Sequence, residues 1–181
     1  MILLVIVVAI GLAVNGNSGS GTKVAVSPPS SSPTTAPVTP TTVALASVKG
    51  KPCVGLKDPL PKGAPAMLLS PGPAPTKLST QDLKVGTGAV VPKNAKVTVN
   101  YVGVACSTGK IFDSSYSRNQ TFDADLAGGI ILGWQQGIPG MRIGGVRLLA
   151  VPSALAYGPS GQPPIAPDEA LFFLVAAVKL G

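Results

Sequence analysis

Apolar and polar positions alternate along Val97-Thr98-Val99-Asn100-Tyr101-Val102, so Val97, Val99 and Tyr101 share one face of a predicted strand. Ser107-Thr108-Gly109-Lys110 is a turn signal, and Ile111-Phe112-Asp113 resumes the extended pattern, which predicts a hairpin. Trp134, Ile138 and Met141 repeat at i, i+4 and i+7, one face of a short helix bounded by Gly133 and interrupted by Pro139. Val146 to Val151 reads as a further strand after the Gly144-Gly145 turn. Leu171 to Leu180 is almost uniformly apolar, the pattern of a central strand covered on both faces. One short helix against a small, mostly antiparallel sheet defines an α+β domain.

The N-terminal part of the chain has a different texture. Ile2 to Val14 is an apolar run of 13 residues followed by Asn15-Gly16-Asn17. It is shorter than the ~20 residues of a spanning helix and fits the apolar region of a signal peptide. Residues 1–17 are therefore expected to direct export, either as a cleaved signal peptide or as a retained membrane anchor. No cysteine follows the run, so a lipoprotein linkage has no acceptor thiol. Residues 18–47 are rich in Ser, Thr and Pro, cannot bury enough apolar surface to offset ordering, and are expected to form a disordered linker. Residues 48–75 stay Pro-rich but gain Lys49, Lys51, Cys53, Lys57 and several Leu, the pattern of an arm tethered to a folded domain. Residues up to 75 hold 12 of the 19 prolines, which leaves residues 76–181 as the predicted folded domain, an ordinary single-domain length.

Composition narrows the chemistry. The 181 residues contain no histidine, so Ser-His-Asp and Cys-His nucleophile systems and imidazole bases are excluded. Two cysteines cannot build a zinc finger or an iron–sulfur cage, and no metal or organic cofactor is expected. The net charge of +7 divides as +4 before residue 76 (five Lys, one Asp) and +3 after it (nine Lys/Arg, six Asp/Glu). No basic run or aromatic-interleaved basic stripe occurs, so a nucleic-acid partner is not expected. A mildly basic linker suits an anionic surface, which leaves an N-terminal membrane contact open.

Six segments then carry a resemblance: Val97 to Gly103 (VTVNYVG), Gly109 to Ser115 (GKIFDSS), Ile131 to Trp134 (ILGW), Gly137 to Met141 (GIPGM), Ala156 to Gly158 (AYG) and Pro167 to Phe173 (PDEALFF). In this order and at these spacings the chain resembles the FKBP-type peptidyl-prolyl cis-trans isomerases over residues 77–181. With its exported Pro-rich arm and paired cysteines, the longer pattern is similar to secreted actinobacterial members. The resemblance implies a half-open, five-stranded antiparallel sheet wrapped around one short helix. It also implies an apolar pocket between helix and sheet that accelerates rotation about X–Pro bonds.

The resemblance also assigns the pocket. Trp134 is the expected floor, Tyr101, Phe112 and Phe173 the walls, and Ile130 and Ile131 the rim. Asp113 is an edge carboxylate whose partner is Tyr101 or Arg118, and it is not a nucleophile; Arg118 is also expected among the substrate-binding residues. The Tyr157 hydroxyl and the Ile131 backbone N–H are expected to donate to substrate carbonyls. Ile165 is expected in the loop that closes over the substrate. Phe122 is either pocket lining or core. Gly128-Gly129 stands where many members carry Glu.

Cys53 and Cys106 are the only cysteines in a chain expected to be exported, which favours a disulfide between them over two free thiols. Bridging them pins the arm to the hairpin tip beside Phe112 and Asp113. Expected partners are proline-containing polypeptides and, through the resemblance, macrolide immunophilin ligands, bound by a monomer. Two other classes compete with an exported isomerase of the extracellular space or cell envelope. One is a non-catalytic proline-peptide binding or chaperone module. The other is a structural surface protein displayed on the Ser/Thr/Pro stalk.

Overall fold

The computed structural model describes residues 45–181. The signal or anchor segment 1–17 and most of the linker 18–47 lie outside the described residues. Six strands and one helix follow in chain order: β1 (Ser79–Lys84), β2 (Lys96–Ala105), β3 (Ile111–Ser114), β4 (Phe122–Asp125), α1 (Leu132–Gly137), β5 (Val146–Val151) and β6 (Leu171–Leu180). All pairings are antiparallel, in the order β1-β5-β6-β2-β3, with β4 also on β2.

Five strands were expected and six are found, because one lane is interrupted. β3 pairs with Val102 to Val104 and β4 with Lys96 to Val99, so both run along the same edge of β2. The loop from Ser115 to Thr121 divides that lane. Its hydrogen bonds, including Ser115 Oγ to Asn100 Oδ1 at 3.1 Å, replace the ladder there.

Alternation along the two central strands sorts the core into layers. Val97, Val99 and Tyr101 of β2 and Leu171, Phe173 and Val175 of β6 face α1, where they join Trp134, Ile138 and Met141. Val102, Val104 and Leu174 face the other way. That second face is covered by the arm: Met67 is buried against it, with Leu56, Leu60, Ala64 and Leu69 around it. The apolar run of β6 thus has a cover on each side, one from the helix and one from the Pro-rich stretch.

The arm is fixed along the hairpin tip. A Cys53–Cys106 disulfide joins it to the end of β2. The Val54 N–H donates to Cys106 O and the Lys57 N–H to Gly109 O, each at 2.9 Å. Further upstream, the Val48 N–H donates to Pro167 O at 3.0 Å.

The helix is six residues long and ends at Gly137, because Pro139 has no N–H to continue it. Ile138, the C-cap, keeps helical dihedrals and its N–H donates to Trp134 O at 3.1 Å, so it is buried from the helix end, whereas Met141 is carried inward by the turn that its N–H closes on Ile138 O. Gly133 and Gly137 let the helix lie close on β5. A Cβ at Gly133 would fall 2.4 Å from Val151 Cγ1, and one at Gly137 would fall 2.9 Å from Leu149 Cδ2. The Arg147 guanidinium of β5 donates to Gly137 O at 2.9 Å and Pro139 O at 3.2 Å, which satisfies carbonyls at the helix end. Its other nitrogens pair with Asp82 of β1.

Candidate functional site

Between α1 and the concave face of the sheet lies a cavity of about 240 Å³. Trp134 stands at its centre, buried to 4% exposure, in edge-to-face contact with Tyr101 (5.2 Å between centroids), Phe173 (5.3 Å) and Phe122 (5.9 Å). Phe112 meets Phe173 at 5.7 Å. Such T-shaped contacts fix ring orientations beyond what area burial alone achieves. Gly129, Ile130, Ile131, Asp113 and Tyr157 complete the lining. The Trp134 indole N–H is a buried side-chain donor without a partner among the described residues.

The walls depend on a missing side chain. A Cβ on Gly103 would lie 2.6 Å from Phe112 Cζ and 3.0 Å from Phe173 Cε1. Both rings rest on bare backbone there. Gly103→Ala is therefore expected to cost about 1–3 kcal/mol by overpacking, and to weaken binding of a proline tetrapeptide followed by Trp134 fluorescence. An unchanged melting temperature and affinity would show that the rings do not depend on that space.

At the rim one carboxylate is held by two partners. The Tyr101 hydroxyl donates to Asp113 Oδ2, and the Arg118 guanidinium pairs with Asp113 Oδ1. A second guanidinium nitrogen donates to the Tyr101 hydroxyl at 2.9 Å. Both expected partners of Asp113 are thus engaged, and its charge is compensated where it meets the apolar cavity. Arg118 itself lies outside the lining, half-exposed, with its guanidinium over the Tyr101 ring.

The phenols stay neutral. Burial pushes the Tyr101 hydroxyl up to about 12, assisted by its bond to Asp113 and opposed by Arg118. Tyr157 is raised by burial and by the Asp113 charge. A raised Tyr101 value means that its contribution to stability is complete below its ordinary value near 10. That contribution is lost as pH rises from there toward about 12. No imidazole is present, and both lining phenols are raised above their ordinary value near 10. Activity measured as kcat/KM is expected to be flat between about pH 6 and 9, and a bell-shaped profile would contradict this account of the site.

The remaining sequence-predicted residues divide. Phe122 lines the cavity as well as packing on Tyr101 and Trp134. Ile130 and Ile131 form the rim, where Gln135 Nε2 donates to Ile130 O at 2.7 Å. Ile165 is not part of the lining. It is buried in the core beside the pocket, in a tight turn in which Gln162 and Ile165 exchange both backbone hydrogen bonds. Gln135 and the spacing function of Gly103 escaped sequence reasoning, because both depend on neighbours distant in the chain. Among the described residues no group of three His, Cys, Asp or Glu side chains gathers closely enough to hold a metal ion.

A sheet bent around one short helix, with an aromatic cavity between them, is the architecture of a binding site for a small apolar group. The family model of FKBP-type peptidyl-prolyl cis-trans isomerases matches residues 88–178, and the chain belongs to that family. It is 45% identical over 115 residues to the "Probable FK506-binding protein" of Corynebacterium glutamicum, covering 64% of this chain and 97% of that one. It is 39% identical over 102 residues to the peptidyl-prolyl cis-trans isomerase FPR2 of Saccharomyces cerevisiae, covering 51% of this chain and 76% of that one. Among solved structures, that of AtFKBP13 aligns with a TM-score of 0.54 at 34% identity, covering 60% of this chain and 96% of the other. FkpA from Escherichia coli aligns with the same TM-score at 36% identity, covering 58% of this chain and 48% of the other.

Proposed function

We propose that this chain accelerates X–Pro bond rotation in exported proteins by binding the twisted amide in the cavity over Trp134. The observation that carries the reading is the character of that cavity. Its lining is aromatic and aliphatic, and its one carboxylate accepts a hydrogen bond from Tyr101 and is paired with the Arg118 guanidinium.

Rotation about the bond faces a barrier of ~18–20 kcal/mol because amide resonance must be broken. In the twisted state the carbonyl loses negative charge and the nitrogen becomes pyramidal, so the group is less polar than the planar amide. No bond breaks and no proton moves, which suits a site without a base or nucleophile. An apolar cavity tolerates the twisted form better than the planar one, and this difference lowers the barrier. The proline ring sits on Trp134 between Tyr101, Phe112 and Phe173. The Tyr157 hydroxyl and the Ile131 N–H hold flanking carbonyls, which fixes the chain on either side of the rotating bond.

Export is supported by the apolar Ile2 to Val14 run and by the Cys53–Cys106 bridge, since disulfides persist in oxidising compartments. The protein acts as a monomer at or beyond the cell envelope. Relatives named as FK506-binding proteins make a macrolide a competing occupant of the same cavity.

The test is the refolding of a secreted protein whose slow phase is limited by proline isomerisation. Substoichiometric amounts of the full chain are expected to speed that phase. Equimolar binding without acceleration would instead mark a binding module.

A further inference from the structure

In a regular strand, neighbouring side chains point to opposite faces. Phe112 and Asp113 are neighbours on β3, yet both line the cavity. The register explains how: Val104 faces Ile111 and Gly103 faces Asp113, so Phe112 is the extra residue of a bulge. Bulges on edge strands re-aim side chains in this way, and they leave part of the ladder unpaired.

β3 is an edge strand, so the backbone beside the bulge has no further strand to hold it. The arm takes that place. The Ile111 N–H donates to Asp58 Oδ2 at 2.7 Å, across 53 residues of sequence. Asp58 is itself aligned by the preceding arm, through the Cys53–Cys106 bridge and the bonds from Val54 to Cys106 and from Lys57 to Gly109.

We propose that Asp58 is a positioning residue for the isomerase pocket: its carboxylate fixes the bulge that turns Phe112 and Asp113 together into the cavity. The inference rests on the isomerase reading above. Asp58 touches no reacting atom and acts only through the backbone of β3. It makes the Cys53 to Asp58 stretch of the arm part of what shapes the pocket, while Met67 and its neighbours only cover the back of the sheet.

The experiment compares full-length oxidised wild type with Asp58→Ala, Asp58→Asn and Met67→Ala, using a proline tetrapeptide and amide hydrogen exchange at Ile111. Asp58→Ala is expected to lower kcat/KM about tenfold, the scale of a small misplacement of pocket groups. It is also expected to speed exchange of the Ile111 amide. Asp58→Asn keeps an acceptor oxygen and should recover most of both. Met67→Ala loosens the arm elsewhere and should lower the melting temperature while leaving kcat/KM unchanged. The proposal is overturned if Asp58→Ala exposes the Ile111 amide with no change in kcat/KM. It is equally overturned if Met67→Ala reduces turnover as much as Asp58→Ala does. A wild-type chain with a protected Ile111 amide but no turnover would overturn the isomerase reading itself, and the positioning role with it.

Discussion

Trp134→Ala should destabilise the chain by about 3–5 kcal/mol and remove turnover. The ring is 4% exposed and is the shared neighbour of Tyr101, Phe122 and Phe173. Truncating it deletes three aromatic contacts and leaves a void continuous with the pocket. The void is expected to stay open, because Gly133 and Gly137 already set the helix as close to β5 as Val151 and Leu149 allow. Urea unfolding reads the stability, and proline-peptide isomerisation well below the new midpoint reads the site. A folded variant with full activity would move the floor of the pocket elsewhere.

Replacing Cys53 and Cys106 together by Ala should cost about 4 kcal/mol, the chain-entropy value for a closed loop of this length. The bridge spans 53 residues and fastens a segment that has little regular structure of its own. Once loosened, that segment uncovers Val102, Val104 and Leu174, so binding of a hydrophobic dye should rise as the urea midpoint falls. An unchanged midpoint would mean that burial of Met67 and its neighbours holds the arm unaided.

These two sites differ in how visible they are in the amino-acid sequence. The strands at Lys96–Ala105, Val146–Val151 and Leu171–Leu180 are legible from alternation and apolar runs, because each has at least one buried face, and Ile111–Ser114 is legible from the turn signal before it. β1 is not legible. All six residues of Ser79–Lys84 are exposed, so the strand exists through its ladder to β5 and leaves no hydrophobic period. β4 is short and carries Asp at two of four positions, which local propensity assigns to a turn.

The helix lies at Trp134, where the spacing predicts it, but the predicted face extends to Met141. Pro139 ends it at Gly137 with Ile138 as its C-cap, and a turn delivers the burial of Met141. The arm had no period to read. Its function as the second cover of β6 shows only when the even-numbered residues Phe172, Leu174 and Ala176 are seen to need one.

The pocket residues were legible through family motifs, not through local pattern. Trp134, Phe173 and Tyr101 carry the spacing of ordinary core residues, and nothing in that spacing distinguishes a wall from a filler. Gly103 shows the limit most clearly. Its importance lies in Phe112 and Phe173, one of them 70 positions away, and no local rule connects them.

The most direct test of the account is a cis-to-trans assay on a proline tetrapeptide with the full oxidised chain, titrated with a macrolide immunophilin ligand. The account predicts acceleration that falls to the uncatalysed rate as the ligand saturates one site per chain, with a parallel change in Trp134 fluorescence. Saturable binding at Trp134 by a folded chain that never accelerates isomerisation would contradict it.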